Sequence, residues 1–308
     1  MKRVVIATDG SQVSLDAACL LAHLPHNSKL DITVVSVIQG EQSYHRHASD
    51  EWVRGFVAKK TAEAEESFET ILKMFEGSNA TLRHEIRDGH VGQAIVRIAE
   101  ELDSDLIVIG ATGHSELSRI LLGSTSDYVA THAHCSVLLV RPTGLIGANR
   151  AIRVAVAFDS TQPSRKCLTE FSEVPWGIGT DVMMVTALAR FFGIMGEIAP
   201  SADAVANAES QVLQASQSVA KVAPKASAHV VQDENFGEGL VRFAEKHKCD
   251  IMFIGETKRT ALGRSLVGSV SRYILRHAPC SVWVTRQSVA EADTSPHNND
   301  SETTASSR

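Results

Sequence analysis

The sequence lacks three features that would have defined its class at once. It has no uncharged apolar run of the roughly 18 residues that a membrane-spanning helix needs, so we expect no membrane partner. It has no surplus of basic residues, and its net charge of −6 argues against nucleic acid as the main partner. Its five cysteines show no Cys-x2-Cys spacing, which favours reduced thiols over disulfides or a zinc site. The start, MKRVVIATDGS, reaches Asp9 too early for a secretory signal peptide, so we expect a cytoplasmic protein.

What the sequence does contain is an internal repeat. Residues 91–141 align without a gap with residues 236–286, so that Gly110 matches Gly255 and Gly123 matches Gly268. The two starts match as well, RVVIATDGS with Asp9 and RVAVAFDST with Asp159. A chain of 308 residues suits two domains, which we place at 1–142 and 151–287 after a connection that contains Pro and Gly. Residues 288–308 are polar and aperiodic, which predicts a disordered tail.

Each copy alternates short apolar runs with amphipathic stretches. In the first copy the predicted strands read RVVIAT, DITVVSV, TLRHEIR, DLIVIG and SVLLVR. VGQAIVRIAEELD carries apolar residues at spacings of three and four, which predicts a helix. Strand–helix alternation produces parallel sheets. The fold class is therefore α/β, with two tandem doubly wound, five-stranded, Rossmann-like domains, and ligands are expected beyond the carboxyl ends of the strands.

The stretch GATGHSELSRILLGSTS, residues 110–126, follows the fourth predicted strand and holds three glycines. Glycine lets a backbone approach phosphate closely, and Ser124 or Thr125 can cap a helix whose first N–H groups favour an anion. The stretch is neither a Gly-Lys-Ser/Thr loop nor a GxGxxG fingerprint. It predicts a phosphate site. The alternative is that the glycines only make a turn and the serine only caps the helix.

Two further positions favour the phosphate site. Asp9 ends the first strand and Val37 ends the second, on the same edge as Gly110. An acidic residue, an apolar strand end and a glycine loop together suit the ribose, base and phosphates of a nucleotide. Asp9 could alternatively serve only as a helix cap.

The combination of Asp9-Gly10-Ser11 with Gly110-x2-Gly113-x9-Gly123-Ser124 resembles the ATP-binding branch of the universal stress protein family, in a tandem two-domain form. The resemblance covers both copies. It implies ATP, with or without Mg²⁺, as the ligand of the first copy. The implied nucleotide contacts are Thr8, Asp9, Val37, Gly110, Gly113, His114, Gly123, Ser124 and Thr125.

The second copy departs from this pattern, because Lys258 stands where the first has Gly113. One interpretation is a lost site in which Lys258 fills the phosphate position. The other is a rebuilt site in which Lys258, Arg259 or Arg264 holds phosphate by charge. We favour the lost site.

The resemblance implies a nucleotide-dependent regulatory or sensing module in stress response. The alternatives are a slow nucleotide hydrolase or nucleotidyl-transfer enzyme of a related α/β fold, and a structural module without a ligand. TDGSQVS lacks the Ser-Gly-Gly-x-Asp-Ser loop of transfer enzymes, and no catalytic base stands out. We expect the two copies to pair within the chain through their apolar fifth strands, and a homodimer is a further expectation. His45 and His47 are weak metal candidates.

Overall fold

The computed structural model describes residues 1–39, 50–112, 122–148, 150–193, 196–256, 259–261, 264–266 and 268–286. The predicted tail, His45, His47, Gly113, His114 and Lys258 lie outside these residues. We call residues 1–142 the first half and residues 151–286 the second half.

The first half alternates strands and helices as the sequence predicts. Its elements are β1 Arg3–Thr8, α1 Gln12–His23, β2 Leu30–Ile38, α2 Asp50–Met74, β3 Ala80–Asp88, α3 Val91–Glu101, β4 Leu106–Gly110, α4 Ser124–His132 and β5 Ser136–Val140.

The second half repeats this order and adds two short hairpins. Its elements are β6 Arg153–Ala157, α5 Gln162–Ser172, β7 Asp181–Ala189, β8 Phe191–Gly193, β9 Gly196–Ile198, α6 Ala202–Ser218, β10 Ser227–Asp233, α7 Phe236–His247, β11 Ile251–Gly255, β12 Arg259–Ala261, β13 Arg264–Leu266, α8 Ser269–His277 and β14 Ser281–Thr285.

Ten strands form one sheet in the order β10-β7-β6-β11-β14-β5-β4-β1-β2-β3. Within each half every neighbouring pair is parallel, which confirms the predicted doubly wound α/β class. The fifth strands, β5 and β14, are antiparallel to each other, with Leu138 opposite Trp283. The pairs β8–β9 and β12–β13 are separate antiparallel ladders.

Both faces of the sheet are covered by helices, which explains why the central strands are apolar at successive positions. Val5 and Ala7 of β1 pack into the core on one face, whereas Val4 and Ile6 pack into the core on the other. Each core contains residues of both halves. Alternate side chains of a strand point to opposite faces, so a strand buried on both faces needs apolar residues throughout.

Two matched arginines follow the paired fifth strands and reach across to the other half. Arg141 donates from Nη2 to the carbonyl oxygen of Leu275 at 2.6 Å. Arg286 donates from Nη1 to the carbonyl oxygen of Ala133 at 2.5 Å and forms a buried ion pair with Glu256. Each arginine therefore binds the C-terminal part of the last helix of the opposite half, where a cation is favoured.

The five cysteines are free thiols, and they differ in burial. Cys167, Cys249 and Cys280 are buried, whereas Cys19 and Cys135 are half-buried. Burial raises the pKa of Cys135 and of Cys249 to about 12, which makes these thiols poor nucleophiles at neutral pH.

Among the helices of the described residues, none is long and apolar enough to cross a membrane.

Candidate functional site

A cleft of about 320 Å³ lies at the carboxyl ends of β1, β2 and β4, beside the start of α4. Its volume is within the range of about 300–1,000 Å³ that ligand pockets occupy. We call it cleft 1. It is lined by Ala7, Thr8, Asp9, Ser14, Val35, Val37, Val91, Ile95, Ile109, Gly110, Thr112, Gly123, Ser124, Thr125 and Ser126.

Seven of the nine nucleotide contacts predicted from the sequence line this cleft. They come from four separate stretches of the chain: Thr8 and Asp9, Val37, Gly110, and Gly123 with Ser124 and Thr125. The other two, Gly113 and His114, lie outside the described residues. The topology explains the gathering, because the carboxyl ends of parallel strands meet at one edge of a sheet.

The start of α4 corrects one detail of the prediction. Neither Ser124 nor Thr125 caps the helix, because Ser124 is already its first residue and Gly123 is the N-cap, with φ −63° and no side-chain cap bond. Glycine has no side chain that could accept from the first N–H groups of the helix. The N–H groups of Ser124, Thr125 and Ser126 have no acceptor within the helix. These three residues line the cleft, so the start of the helix lies beside it.

Short hydrogen bonds fix the start of α4 against the end of β4. The Ser126 hydroxyl donates to the carbonyl oxygen of Gly110 at 2.7 Å. The N–H of Gly123 donates to the carbonyl oxygen of Ala111 at 2.8 Å. The helix start is therefore held rigidly beside the strand end, as a preorganised anion site requires.

The two described glycines of the motif have different roles. A Cβ on Gly110 would lie 2.8 Å from Cγ1 of Val13, so Gly110 allows α1 to pack closely against β4. A Cβ on Gly123 would meet its nearest protein atom, the carbonyl oxygen of Ala111, at 3.4 Å, which is an ordinary contact. Of these two glycines, only Gly123 leaves space that the protein itself does not need.

Asp9 has a structural role as well as a place in the cleft. Its Oδ1 accepts from the N–H of Ser11 at 3.0 Å and from the Ser11 hydroxyl at 2.5 Å. Ser11 is the N-cap of α1, and its side chain accepts from the N–H of Ser14. Asp9 therefore positions the cap rather than serving as the cap itself, and its side chain is still exposed at the mouth of the cleft.

The inner end of cleft 1 is apolar. Val35 and Val37 of β2 belong to the same core cluster as Val91 and Ile95 of α3. Ser124, Thr125 and Ser126 line the cleft at the start of α4. One end of the cleft thus suits a planar apolar group, and the other suits a charged oxygen-rich group.

A second cleft, of about 240 Å³, lies at the same edge of the second half. We call it cleft 2. It is lined by Ala157, Phe158, Asp159, Thr161, Ser164, Val185, Ala187, Phe236, Leu240, Ile254, Gly255, Val270, Ser271 and Ile274.

The two clefts share their backbone framework. Asp159 accepts from the N–H and hydroxyl of Thr161, as Asp9 does from Ser11. Gly268, like Gly123, is the N-cap of the following helix and makes no side-chain cap bond. The matched linings differ at five positions, written first half then second half: Thr8 and Phe158, Val37 and Ala187, Val91 and Phe236, Ile95 and Leu240, Thr125 and Val270.

The sequence interpretation did not single out several residues that line cleft 1. Ser14 and Ser126 hold its framework, and Val91 and Ile95 form part of its apolar end. A signal for the two serines was present, because both copies carry serine there: Ser164 matches Ser14 and Ser271 matches Ser126.

Comparison with known proteins identifies a family that this chain matches. The model of the universal stress protein family matches residues 1–141 and 192–286. Universal stress protein MJ0531 of Methanocaldococcus jannaschii is 34% identical over 140 residues, which are 46% of this chain and 82% of that protein. Universal stress protein G of Shigella flexneri is 37% identical over 112 residues, which are 36% of this chain and 77% of that protein.

Among solved structures, a universal stress protein from Archaeoglobus fulgidus DSM 4304 is similar over both halves. The match covers 92% of this chain and 98% of that protein's chain, with a TM-score of 0.65 and 18% sequence identity. At that identity the likeness concerns the fold alone, and it extends to the tandem arrangement.

Proposed function

The chain belongs to the universal stress protein family, and we propose that its first half binds ATP in cleft 1 and uses the nucleotide as a regulatory or sensing signal. One observation carries the proposal. The helix α4 begins at a glycine without a side-chain cap, so its first N–H groups have no acceptor within the helix, and Ser124 and Thr125 at this helix start line the cleft. A helix start of this kind is a ready site for a phosphate group.

The remaining lining supports the nucleoside part of ATP. Val37, Val91 and Ile95 offer an apolar end for a base, and the Asp9 carboxylate at the mouth suits ribose hydroxyls. The phosphates would then extend towards Gly123, where no Cβ obstructs them. Mg²⁺ would accompany the phosphates at this open side of the cleft.

We propose that cleft 2 does not take ATP. Phe158 and Phe236 stand where cleft 1 has Thr8 and Val91, and Val270 replaces the hydroxyl of Thr125. Phosphate oxygens need donors, and burying them against apolar side chains is unfavourable. The chain therefore binds one ATP.

The two halves work as one unit in this proposal, because β5 and β14 pair and the matched arginines cross between them. A nucleotide bound beside α4 would lie on the helix whose last turn Arg286 contacts. A homodimer and a cytoplasmic location stay predictions from the sequence.

The proposal is tested by introducing a negative charge at the start of α4. In Gly123→Asp the new carboxylate would accept from the first N–H groups of α4 and repel phosphate, so ATP affinity should fall by on the order of 100-fold. The fold should not suffer, because aspartate is a favoured N-cap worth up to about 1 kcal/mol here.

The matched control is Gly268→Asp, which makes the same change at the start of α8. It should leave ATP affinity within about twofold of the wild type, because a change remote from the site contributes little. Calorimetric titration of ATP measures both variants. Equal ATP affinity in Gly123→Asp and wild type would refute the site.

A further inference from the structure

The second half contains a further cleft that is separate from cleft 1 and cleft 2. We call it the basic cleft, after the side chains that line it. It encloses about 500 Å³ and is lined by Arg153, Lys225, His229, Lys246, His247 and Lys248, among others. These residues come from the amino-terminal ends of β6 and β10 and from the end of α7. The basic cleft therefore lies at the edge of the sheet opposite cleft 2.

The first half provides an internal comparison for this place in the fold. Arg3, which matches Arg153, donates from Nη2 to Oδ2 of Asp103 at 2.7 Å. Lys248 occupies the position of Asp103, and both residues have the same left-handed backbone, with φ 47° at Asp103 and 49° at Lys248. An arginine–carboxylate pair in the first half thus becomes an arginine beside a lysine in the second.

The neighbouring position shows the same reversal of charge. Glu101 in the first half binds Arg97 and Arg87 through its carboxylate, at 2.9 and 3.1 Å. Lys246 stands at the matching position in the second half. Two carboxylates at the end of α3 correspond to two ammonium groups at the end of α7. The difference between the halves is therefore larger than one substitution of a surface charge.

Among the described residues, few carboxylates compensate the basic side chains of the cleft. Within the part of the chain that the structure describes, Arg153, Lys225, Lys246 and Lys248 form no ion pair. The buried carboxylate of Asp250 is close in sequence, but it is engaged by Arg150 at 2.6 and 2.7 Å. Such a concentration of like charge raises the electrostatic energy until an anion enters.

One carboxylate, Asp181, does line the cleft. It is exposed, and it shares the lining with four basic side chains, which come from β6, the turn before β10 and the end of α7. The cleft therefore keeps a positive excess in a chain whose net charge is −6.

Complementing the dipole of α7 explains part of this composition. Lys246 and His247 lie in its last turn, where cations are favoured. The dipole does not account for Lys225, which precedes β10, or for Arg153, which begins β6. Those two bring positive charge to the cleft from other elements of the fold.

We propose that the basic cleft binds an oligophosphate anion. Its cations are spread over separate elements, so an extended anion with several charges can contact more of them than a single small ion can. Arginine and lysine are the side chains that bind phosphate oxygens best, the first by its planar fork and the second as a point charge. The hydroxyl of Ser227, 2.8 Å from Nε2 of His229, adds a neutral polar group to the lining.

Two histidines make the cleft observable by spectroscopy. Burial, and then the neighbouring cations, lower the pKa of His229 and of His247 from their ordinary values. The charged groups that line the cleft with them are Arg153, Lys225, Lys246, Lys248 and Asp181. A bound polyanion would offset the cations, so it would raise the pKa of both histidines.

The experiment titrates inorganic tripolyphosphate into the full chain at an ionic strength of about 0.1 M, where exposed charges more than about 10 Å apart are largely screened. The background is Gly123→Asp, so that cleft 1 does not contribute. The test variant, Lys246→Glu with Lys248→Asp, installs the residues of the first half. It should bind tripolyphosphate about tenfold more weakly or worse, and the affinity of the background chain should fall as salt is added.

The control, Lys29→Asp with Lys73→Glu, changes the net charge equally at exposed positions of the first half. It should bind within about twofold of the background, because distant exposed charges are screened. In nuclear magnetic resonance titrations, tripolyphosphate should raise the pKa of His229 and His247 in the background chain.

Equal binding by the test variant and its background would overturn the basic cleft as the site. Equal weakening by the control would show that the effect comes from net charge alone and would overturn the site. Citrate binding as tight as that of tripolyphosphate would overturn the preference for phosphate. Failure of ATP to bind the wild type would refute cleft 1 as a nucleotide site but would leave these results unaffected, so the two proposals fail separately.

Discussion

Cleft 1 and cleft 2 differ in the polarity of their lining residues, since Thr8 and Thr125 in the first half correspond to Phe158 and Val270 in the second. The frameworks beneath them agree. Each begins with an aspartate that positions the cap of the following helix, and each ends at a helix with a glycine N-cap. In our proposal the backbone fixes where a ligand can lie, and a few side chains of the lining decide whether phosphate is accepted there.

The same lesson applies at the opposite edge of the sheet. There the first half pairs its charges, as in Arg3 with Asp103, and the second half leaves a positive excess around Arg153 and Lys248. Each half therefore offers a polar surface that the other lacks. A duplicated fold can carry two different sites in this way without changing its strand order.

The largest expected difference between the two halves is in stability, and it concerns the two matched arginines. Arg286 is paired with the buried carboxylate of Glu256, whereas Ala111 stands at the matching place near Arg141. Arg286→Met should lower the free energy of unfolding by about 3–5 kcal/mol, because it leaves Glu256 charged and buried without its partner. Arg141→Met should cost only about 1–3 kcal/mol, the value of a charged hydrogen bond.

Urea unfolding measures both variants. Adding Glu256→Ala to Arg286→Met should recover part of the loss, because the unpaired carboxylate is then removed. If the two single variants were equally destabilised, the ion pair would not be the source of the difference.

The next effect concerns a carboxylate that the first half does not have. Glu170 matches Leu20, and it accepts from the Ser136 hydroxyl and from Nε1 of Trp283, both at 2.7 Å. Burial raises the pKa of Glu170 from 4.5 to about 7, although these two donors lower it in part. The group binds a proton more tightly in the folded state, so its stabilisation is fully present below pH 4.5 and is lost as pH rises through 7.

The change amounts to about 3 kcal/mol over that interval. Glu170→Gln keeps the shape and cannot ionise, so the difference in unfolding free energy between wild type and variant should shift by this amount between pH 5 and pH 8. A difference that does not vary with pH would show that Glu170 titrates normally.

A smaller effect should follow from giving cleft 1 a residue of cleft 2. Val91→Phe installs the counterpart of Phe236, a larger side chain that lines cleft 2 at the matching position. ATP should bind about 2 kcal/mol more weakly, or roughly 30-fold, because the ring occupies space that the base needs. Phe236→Val is the reverse control and should leave ATP affinity unchanged. If Val91→Phe bound ATP as tightly as the wild type, the base would not bind at this end of cleft 1.

The smallest effect concerns a single hydroxyl. Thr125→Val preserves the shape of the side chain and removes one hydrogen bond to phosphate, so ATP affinity should fall by about 1 kcal/mol, or about fivefold. Val270→Thr makes the reverse change in cleft 2. Calorimetry on the two variants should therefore show weakening in one and no change in the other. An equal response in both would count against a contact between Thr125 and the nucleotide.

Much of this architecture could be predicted from the sequence because its signals are local and occur twice. Apolar runs such as LIVIG gave β4, and the repeat gave the second half by alignment alone. The gathering of Thr8, Val37 and Gly123 also followed, because the parallel topology brings the carboxyl ends of strands together.

Other features depend on contacts between distant residues and could not be predicted. The need for glycine at position 110 comes from Val13 on a different element, and nothing in the motif distinguishes that need from an approach to phosphate. The cap of α4 was misassigned because a serine directly after a glycine is favoured at an N-cap, whereas the helix begins one residue earlier. The basic cleft unites residues about 95 positions apart in sequence, from Arg153 to Lys248, that are adjacent only in the fold.

The most direct test of the account is the number of ATP molecules that one chain binds. Isothermal titration calorimetry of the full-length protein with ATP should give a stoichiometry near one at an ionic strength that screens the basic cleft. Binding should be lost in Gly123→Asp and kept in Gly268→Asp. A stoichiometry near two, in which each glycine variant removes one site, would contradict the central claim that the two halves built on one framework have different ligands.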